Sequence, residues 1–387
     1  MTEYCNFCNK TQHQVKQLVM GEKVGICDLC IDLCSNIING EVQEETGLTS
    51  IPNVDPIELK AYLDLYVTSQ DRTKEILSVA VANHVKRINS KDVVLEKSNL
   101  IMLGPTGSGK TLLAKTTAQY LDVPFVIADA TTLTESGYVG EDVESILVKL
   151  LHSANGILAD AERGIVFIDE IDKIAKSGTT TTAGKEPGSV GVQQALLKLV
   201  EGTKFTIMPS AKSDETTDMD TKNILFIASG AFIGLDKIKK RKHHPSQIGF
   251  TADVNNKNEQ LAESEDLIEY GLIPEFVSRF PIITEVQKLS SADMFEVLSN
   301  VENNLVTQYK HLFKCDNVRL TFDKEALRQV VNIAITKKTG ARCLRAIMEK
   351  TLLPHMFNIS KYTADDINKV RITKSLITEP KELKKRE

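Results

Sequence analysis

The chain has 387 residues, 26 % of them charged and 42 % hydrophobic, with a formal net charge of −5. That length holds two or three domains with a sizeable core, and the acidic balance gives no global sign of a nucleic-acid partner. No apolar run reaches the length of a membrane span and the first residues, MTEYCNFCNK, lack a signal peptide's apolar core, so a cytoplasmic protein with no membrane partner is expected.

Five of the seven cysteines lie within residues 1–40. Cys5-x2-Cys8 and Cys27-x2-Cys30 are separated by eighteen residues. Each pair presents two thiolates on one side of a tetrahedron, so the two pairs together close a four-sulfur Zn²⁺ site. With no position left for water, the site reads as structural, and the metal is expected to fold so small a module. Cys34 and His13 read as bystanders. Residues 41–58 are acidic, polar and proline-dotted, the composition of a linker. Helical patterns follow over 57–67 and 71–87, the second carrying Ile76, Leu77, Val79, Ala80 and Val81 towards a core.

Next, the apolar run Leu100-Ile101-Met102-Leu103 ends in Gly104-Pro105-Thr106-Gly107-Ser108-Gly109-Lys110-Thr111, and a helical pattern begins at Leu112. Strand, glycine-rich turn and helix are the setting of a P-loop. Its backbone N–H groups and the helix's positive end can cradle a polyphosphate. Lys110 can reach the β- and γ-phosphates, and the Thr111 hydroxyl can sit on Mg²⁺. The segment from Gly104 to Leu112 is therefore assigned to ATP. Residues 125–128 form a second buried strand. In the following loop, Tyr138 and Val139 stand between glycines, either presented outward or folded onto their own domain. Residues 164–169 read as an apolar strand ending in Asp169-Glu170, a Walker B element. Asp169 can hold Mg²⁺, and Glu170 can orient and deprotonate the attacking water. Another strand is expected over 223–228, with two polar loops flanking a helix, 192–201, before it.

The basic run 237–244 is a solvated face or a nucleic-acid patch. Ile248-Gly249-Phe250, in polar surroundings, is a docking finger or a loop folded back on itself. Arg279 precedes a last strand at 281–286. From residue 290 the pattern changes to helices (290–313, 323–338, 340–358) with short strands near 317–322 and 369–373. There Gly340-Ala341-Arg342 opens a helix and aims a cation at whatever the domain packs on.

The predicted fold class is therefore α/β. A P-loop parallel sheet flanked by helices is joined to a smaller C-terminal α+β domain and an N-terminal four-cysteine zinc module. The expected divisions are 1–40, 41–58 (linker), 59–288 (large ATPase domain), 289–380 (small domain) and 381–387 (tail).

In this order the paired Cys-x2-Cys module, GPTGSGKT, ADATTLTESGYVGED, IVFIDEIDKI, VQQALLKLVEGT, IGF, GLIPEFVSRF and KTGARCLR resemble the ClpX family, AAA+ unfoldases that partner the ClpP peptidase. The likeness covers nearly the whole chain. It implies a homohexameric ring with ATP held between neighbours, and a protein that unfolds protein substrates and threads them into ClpP without being a peptidase. It implies catalytic roles for Lys110, Asp169, Glu170, Arg279 (an arginine finger reaching the next subunit) and Arg342 (a sensor of nucleotide). Tyr138 and Val139 become the pore loop that grips substrate, and Ile248, Gly249 and Phe250 the loop that docks on ClpP. Val67 belongs to a segment that holds adenine, and the zinc module to a self-pairing receiver of adaptors. Three departures stand out. Val67-Thr68-Ser69-Gln70 replaces the usual Val-Ile-Gly-Gln, the loop 203–221 lacks the usual Arg-Lys-His and is acidic, and residues 177–191 are threonine-rich. The competing expectations are a ClpP-independent remodeller of protein complexes and, from another class, a zinc-containing nucleic-acid motor or loader. The acidic balance and the two apolar loops weigh against the latter.

Overall fold

The computed structural model describes residues 5–6, 15, 17–21, 24–28 and 30–31, and then 51–378 apart from 91, 94, 135–140, 177–187, 209–215, 244–260, 338–339 and 365–367. The chain divides into two compact units, Met1–Ser50 and Ile51–Glu387. In the first, Leu18–Met20 and Gly25–Cys27 form an antiparallel hairpin. Among the described residues no helix is long and apolar enough to cross a membrane.

The second unit is built on a five-stranded parallel sheet. Its order across the sheet is Ile282–Glu285, Leu100–Leu103, Leu225–Gly230, Ile165–Asp169, Phe125–Asp129. The inner strands read as unbroken apolar runs because both faces are covered, as parallel sheets require. Side chains alternate between the two layers. Leu100, Met102, Ile165, Phe167, Leu225 and Ile227 face one core, and Ile101, Leu103, Val166, Ile168, Phe226 and Ala228 face the other. On the first face pack the helices Pro56–Tyr66, Asp71–Asn89 and Lys110–Leu121, through Leu59, Leu63, Leu77, Val81 and Leu113. On the second pack Ser145–Ser153 and Gly188–Glu201, through Ile146, Leu150, Leu196 and Leu199. Each such buried side chain contributes about 1.5–3 kcal/mol relative to exposure. Parallel pairing puts the C-terminal ends of all five strands on one edge, where open α/β sheets bind ligands.

Three local readings change. The polar stretch ahead of the first helix lays Ile51 and Val54 into the core, and Pro56 starts that helix with Asp55 capping it, Oδ1 accepting from Ile57 N at 2.8 Å. The segment after 203 is not a loop at its base. Lys204–Ile207 pairs antiparallel with Thr217–Asp220, burying Ile207 and Met219. Residues 237–243 of the basic run belong to the helix Leu235–His243, where Lys239 meets Glu285 (2.9 Å), Arg241 meets Glu269 (2.5 Å) and Lys242 meets Asp266 (3.1 Å).

From Leu289 onward the chain packs around a separate core, which includes Met294, Leu298, Tyr309, Phe313, Val330, Leu344, Met348 and Val370. Its helices are Ser291–Ser299, Leu305–Cys315, Lys324–Thr336 and Arg342–Phe357, with a parallel ribbon of Arg319–Phe322 and Lys369–Ile372. The helical pattern over 290–313 is broken in two. Asn303 turns left-handed (φ 54°), and Asn304 caps the next helix by accepting from Thr307 N at 2.9 Å.

Candidate functional site

The site begins where the strand Leu100–Leu103 runs out. A side chain at Gly104 (φ 145°) would place Cβ 2.2 Å from the carbonyl oxygen of Val286, so only glycine fits the turn. Ser108 Oγ donates to Pro105 O at 2.8 Å, closing the loop on itself. The helix Lys110–Leu121 follows, directing its first N–H groups into the loop. Lys110 is buried, and its ammonium donates to Gly104 O (2.7 Å) and Pro105 O (3.0 Å). Burial pulls Lys110 below the ordinary lysine range; Asp169 opposes this, Arg342 adds to it and Asp172 opposes it.

Acid groups come from the strand Ile165–Asp169. Asp169 Oδ1 accepts from Ser229 Oγ (3.1 Å) and from Glu170 N (3.0 Å), which fixes the carboxylate at the sheet's edge. Glu170 takes a left-handed backbone (φ 57°), which turns the chain sharply and leaves its side chain exposed beside Asp169. A non-glycine residue holds such a conformation at a cost of about 1–2 kcal/mol. Asp172, unremarked in the sequence, is buried and accepts from Ala231 N at 3.1 Å, tying the turn to the end of the neighbouring strand.

Between these groups and the small module lies a cavity of about 590 Å³. It brings together Val67, Thr106, Gly107, Ser108, Gly109, Lys110, Thr111, Leu112, Asp169, Glu170 and Arg342, while Gly104 and Pro105 form the turn behind it. That volume suits a nucleotide, and its wall carries an open polar group: Thr68 Oγ1 is buried without a hydrogen-bond partner among the described residues. Apolar Leu289, Val297, Val301 and Leu305 of the small module supply the opposite wall. These four escaped the sequence reading because their periodicity is that of any amphipathic helix. The module touches the P-loop directly. Ala341 N donates to Gly107 O at 3.4 Å, and a Cβ on Gly340 (φ 65°) would lie 2.9 Å from Thr106 O. Arg342 thus starts its helix at the cavity.

Arg279 is elsewhere. Its carbonyl accepts from Asn99 Nδ2 (3.1 Å), at the N-terminal end of the sheet, opposite the cavity. Its guanidinium pairs with Glu201 at 2.7 Å and is half exposed. In the N-terminal unit, Cys5, Cys27 and Cys30 are buried with their sulfurs mutually within 4.8 Å, and Cys5 Sγ lies 3.9 Å from Cys30 Sγ. Sulfurs about 2.3 Å from a shared tetrahedral Zn²⁺ stand about 3.8 Å apart, so this arrangement fits the metal. Cys27 N donates to Cys5 Sγ at 3.3 Å, the outer hydrogen bond a metal thiolate commonly takes. Cys8, Tyr138, Val139, Ile248, Gly249 and Phe250 lie outside the described residues.

Fold and cleft together define a P-loop ATPase of the AAA type carrying a cysteine zinc finger. Three family profiles match along the chain: the AAA domain (Cdc48 subfamily) over residues 95–283, the ClpX C4-type zinc finger over 3–40, and the C-terminal, D2-small domain of ClpB protein over 289–372. The ATP-dependent Clp protease ATP-binding subunit ClpX of Treponema denticola is 47 % identical over 371 residues, covering 91 % of this chain and 89 % of that protein. The subunits of the same description from Borrelia duttonii and Borrelia recurrentis are each 45 % identical over 391 residues, covering 97 % of this chain and 91 % of theirs. The chain belongs to the ClpX family. It is an ATP-dependent ATPase subunit of Clp type, with a zinc-binding N-terminal finger.

Proposed function

We propose that the protein is a ring-forming unfoldase and translocase that threads protein substrates into the ClpP peptidase, and that it is not itself a peptidase. The observation that carries this reading is the cavity wall shared by two separately cored modules. A nucleotide bound there touches both, so its hydrolysis changes the contacts that set their relative pose. Bound ATP with Mg²⁺ supplies the cleavable phosphoanhydride. Around it, Lys110 and the P-loop amides hold the β- and γ-phosphates, and Thr111 with Asp169 hold the metal. Glu170, exposed at the cavity, draws a proton from the attacking water. Arg342 reports the state of the phosphates to the helix it begins. Arg279, at the far end of the sheet from its own chain's cavity, serves the site of the next subunit in a homohexamer. Tyr138 and Val139 grip the moving polypeptide, and Ile248, Gly249 and Phe250 dock on ClpP. The zinc finger receives adaptors and some substrates.

A degradation assay on a tagged, stably folded protein, with ATP and purified ClpP each omitted in turn, tests this. Loss of the folded substrate is expected only when all components are present. Unfolding with ATP but with no hand-over to ClpP would identify a ClpP-independent remodeller instead. Absence of any ATP-dependent unfolding would overturn the proposal.

A further inference from the structure

Two consecutive residues between the helices Pro56–Tyr66 and Asp71–Asn89 adopt the left-handed region, Ser69 at φ 56° and Gln70 at φ 65°. Neither is glycine, and such conformations persist only where the surroundings hold them. Here the holding groups belong to the small module and the strand-end leading into it. The Ser69 hydroxyl donates to Asp293 Oδ1. Gln70 Nε2 donates to Gln287 O at 2.8 Å, and Gln70 Oε1 accepts from Gln287 N at 2.8 Å. The other oxygen of Asp293 accepts from Ser290 N at 2.7 Å, so one carboxylate both closes the first turn of the helix Ser291–Ser299 and reaches across to Ser69. Burial works to raise the Asp293 carboxyl, but hydrogen bonds from Ser69 and Ser290 prevail and hold it below the usual carboxylate range.

The location gives the contact its consequence. Val67 and Thr68, immediately before Ser69, line the large-module wall of the cavity; Leu289, immediately before Ser290, lines the small-module wall. Neither Ser69 nor Asp293 lines the cavity itself. Their bond spans the connector at 286–290, about which one module must turn if the walls are to part. A hydroxyl on a carboxylate is charge-assisted, stronger than either one of the neutral amide bonds beside it.

We propose that Ser69 and Asp293 are a positioning pair for nucleotide binding: their hydrogen bond latches the two walls together at the hinge and thereby sets how long a nucleoside diphosphate is retained. The pair acts through Thr68 and Leu289 and touches no phosphate. The proposal rests on the nucleotide reading of the cavity.

The test uses the full-length chain and a fluorescent ADP analogue, measuring equilibrium binding and, by stopped flow, dissociation. Ser69→Ala and Asp293→Ala should each speed dissociation about five-fold, and the double variant no more than either, as expected of one shared hydrogen bond. Ser290→Ala removes the hydroxyl that accepts from Asp293 N at 3.2 Å but leaves the bond to Ser69, so it should lower Tm without changing dissociation. Unchanged dissociation in Ser69→Ala, effects that multiply in the double variant, or an equal acceleration by Ser290→Ala would each overturn the latch. Failure of the unaltered chain to bind the analogue would overturn the nucleotide reading, and the latch with it. Binding that ignores the variants would overturn the latch alone.

Discussion

At the scale of single residues, the site is a matter of where carboxylates and one ammonium are held. Asp169 is fixed by Ser229 and by the backbone of Glu170, whereas Glu170 itself is exposed at the cavity's edge. That difference suits the two roles proposed above, a fixed acid for the metal and an exposed one for the proton. Glu170→Gln keeps the shape and the left-handed turn while removing the base. It should leave ADP-analogue binding unchanged and lower ATP turnover by at least about 100-fold, within the range for loss of a general base. A steady-state phosphate-release assay checks this, and near-normal turnover would take the role away from Glu170. Both acids were legible in the sequence, since an apolar run ending in Asp-Glu sixty residues after a P-loop leaves little choice. Asp172 was not: its importance lies in accepting from Ala231 N, a contact between the turn after one strand and the end of another that is distant in sequence.

At the scale of elements, the sheet and its covering helices follow largely from pattern, because an apolar run as short as residues 165–168, bounded by a glycine and an acid, has the length and flanks of a strand buried on both faces. The antiparallel pair of Lys204–Ile207 with Thr217–Asp220 was missed. Its polar outward positions and acidic content mask a period of two, in which only Ile207 and Met219 are buried. Beyond Arg342, the small module's share of the cavity was also hidden, because Val301 and Leu305 have the spacing of core residues and nothing local marks them as binding ones. The helix Arg342–Phe357 depends at its start on Gly340, which meets the P-loop carbonyls of Thr106 and Gly107. Gly340→Ala combines left-handed strain with a 2.9 Å encounter against backbone. The variant should retain its helix content by circular dichroism while binding ADP analogue about ten-fold more weakly, a loss of the size such strain supplies. Unaltered affinity would show that the module does not rest on the P-loop through this residue.

At the scale of the whole molecule, two cores share one cavity, and the arginine that the family resemblance assigns to catalysis stands at the opposite end of the sheet. The sequence revealed both domains and the zinc finger, because each carries its own motif. It could not show that Arg279 is remote from Lys110, since that follows only from the parallel order of the strands. A single chain so arranged has a nucleotide cleft without that arginine, and the head-to-tail ring proposed above would supply it from a neighbour.

Mixing two inactive variants tests that claim most directly. Arg279→Ala keeps Glu170, and Glu170→Gln keeps Arg279, so each chain alone should show little ATPase activity. Co-assembled in equal amounts, about a quarter of the seams in a closed ring pair an intact Glu170 with an intact Arg279. The account predicts that phosphate release recovers towards that fraction of the unaltered protein's rate. A mixture no more active than its parents, or an Arg279→Ala chain with full activity alone, would contradict it.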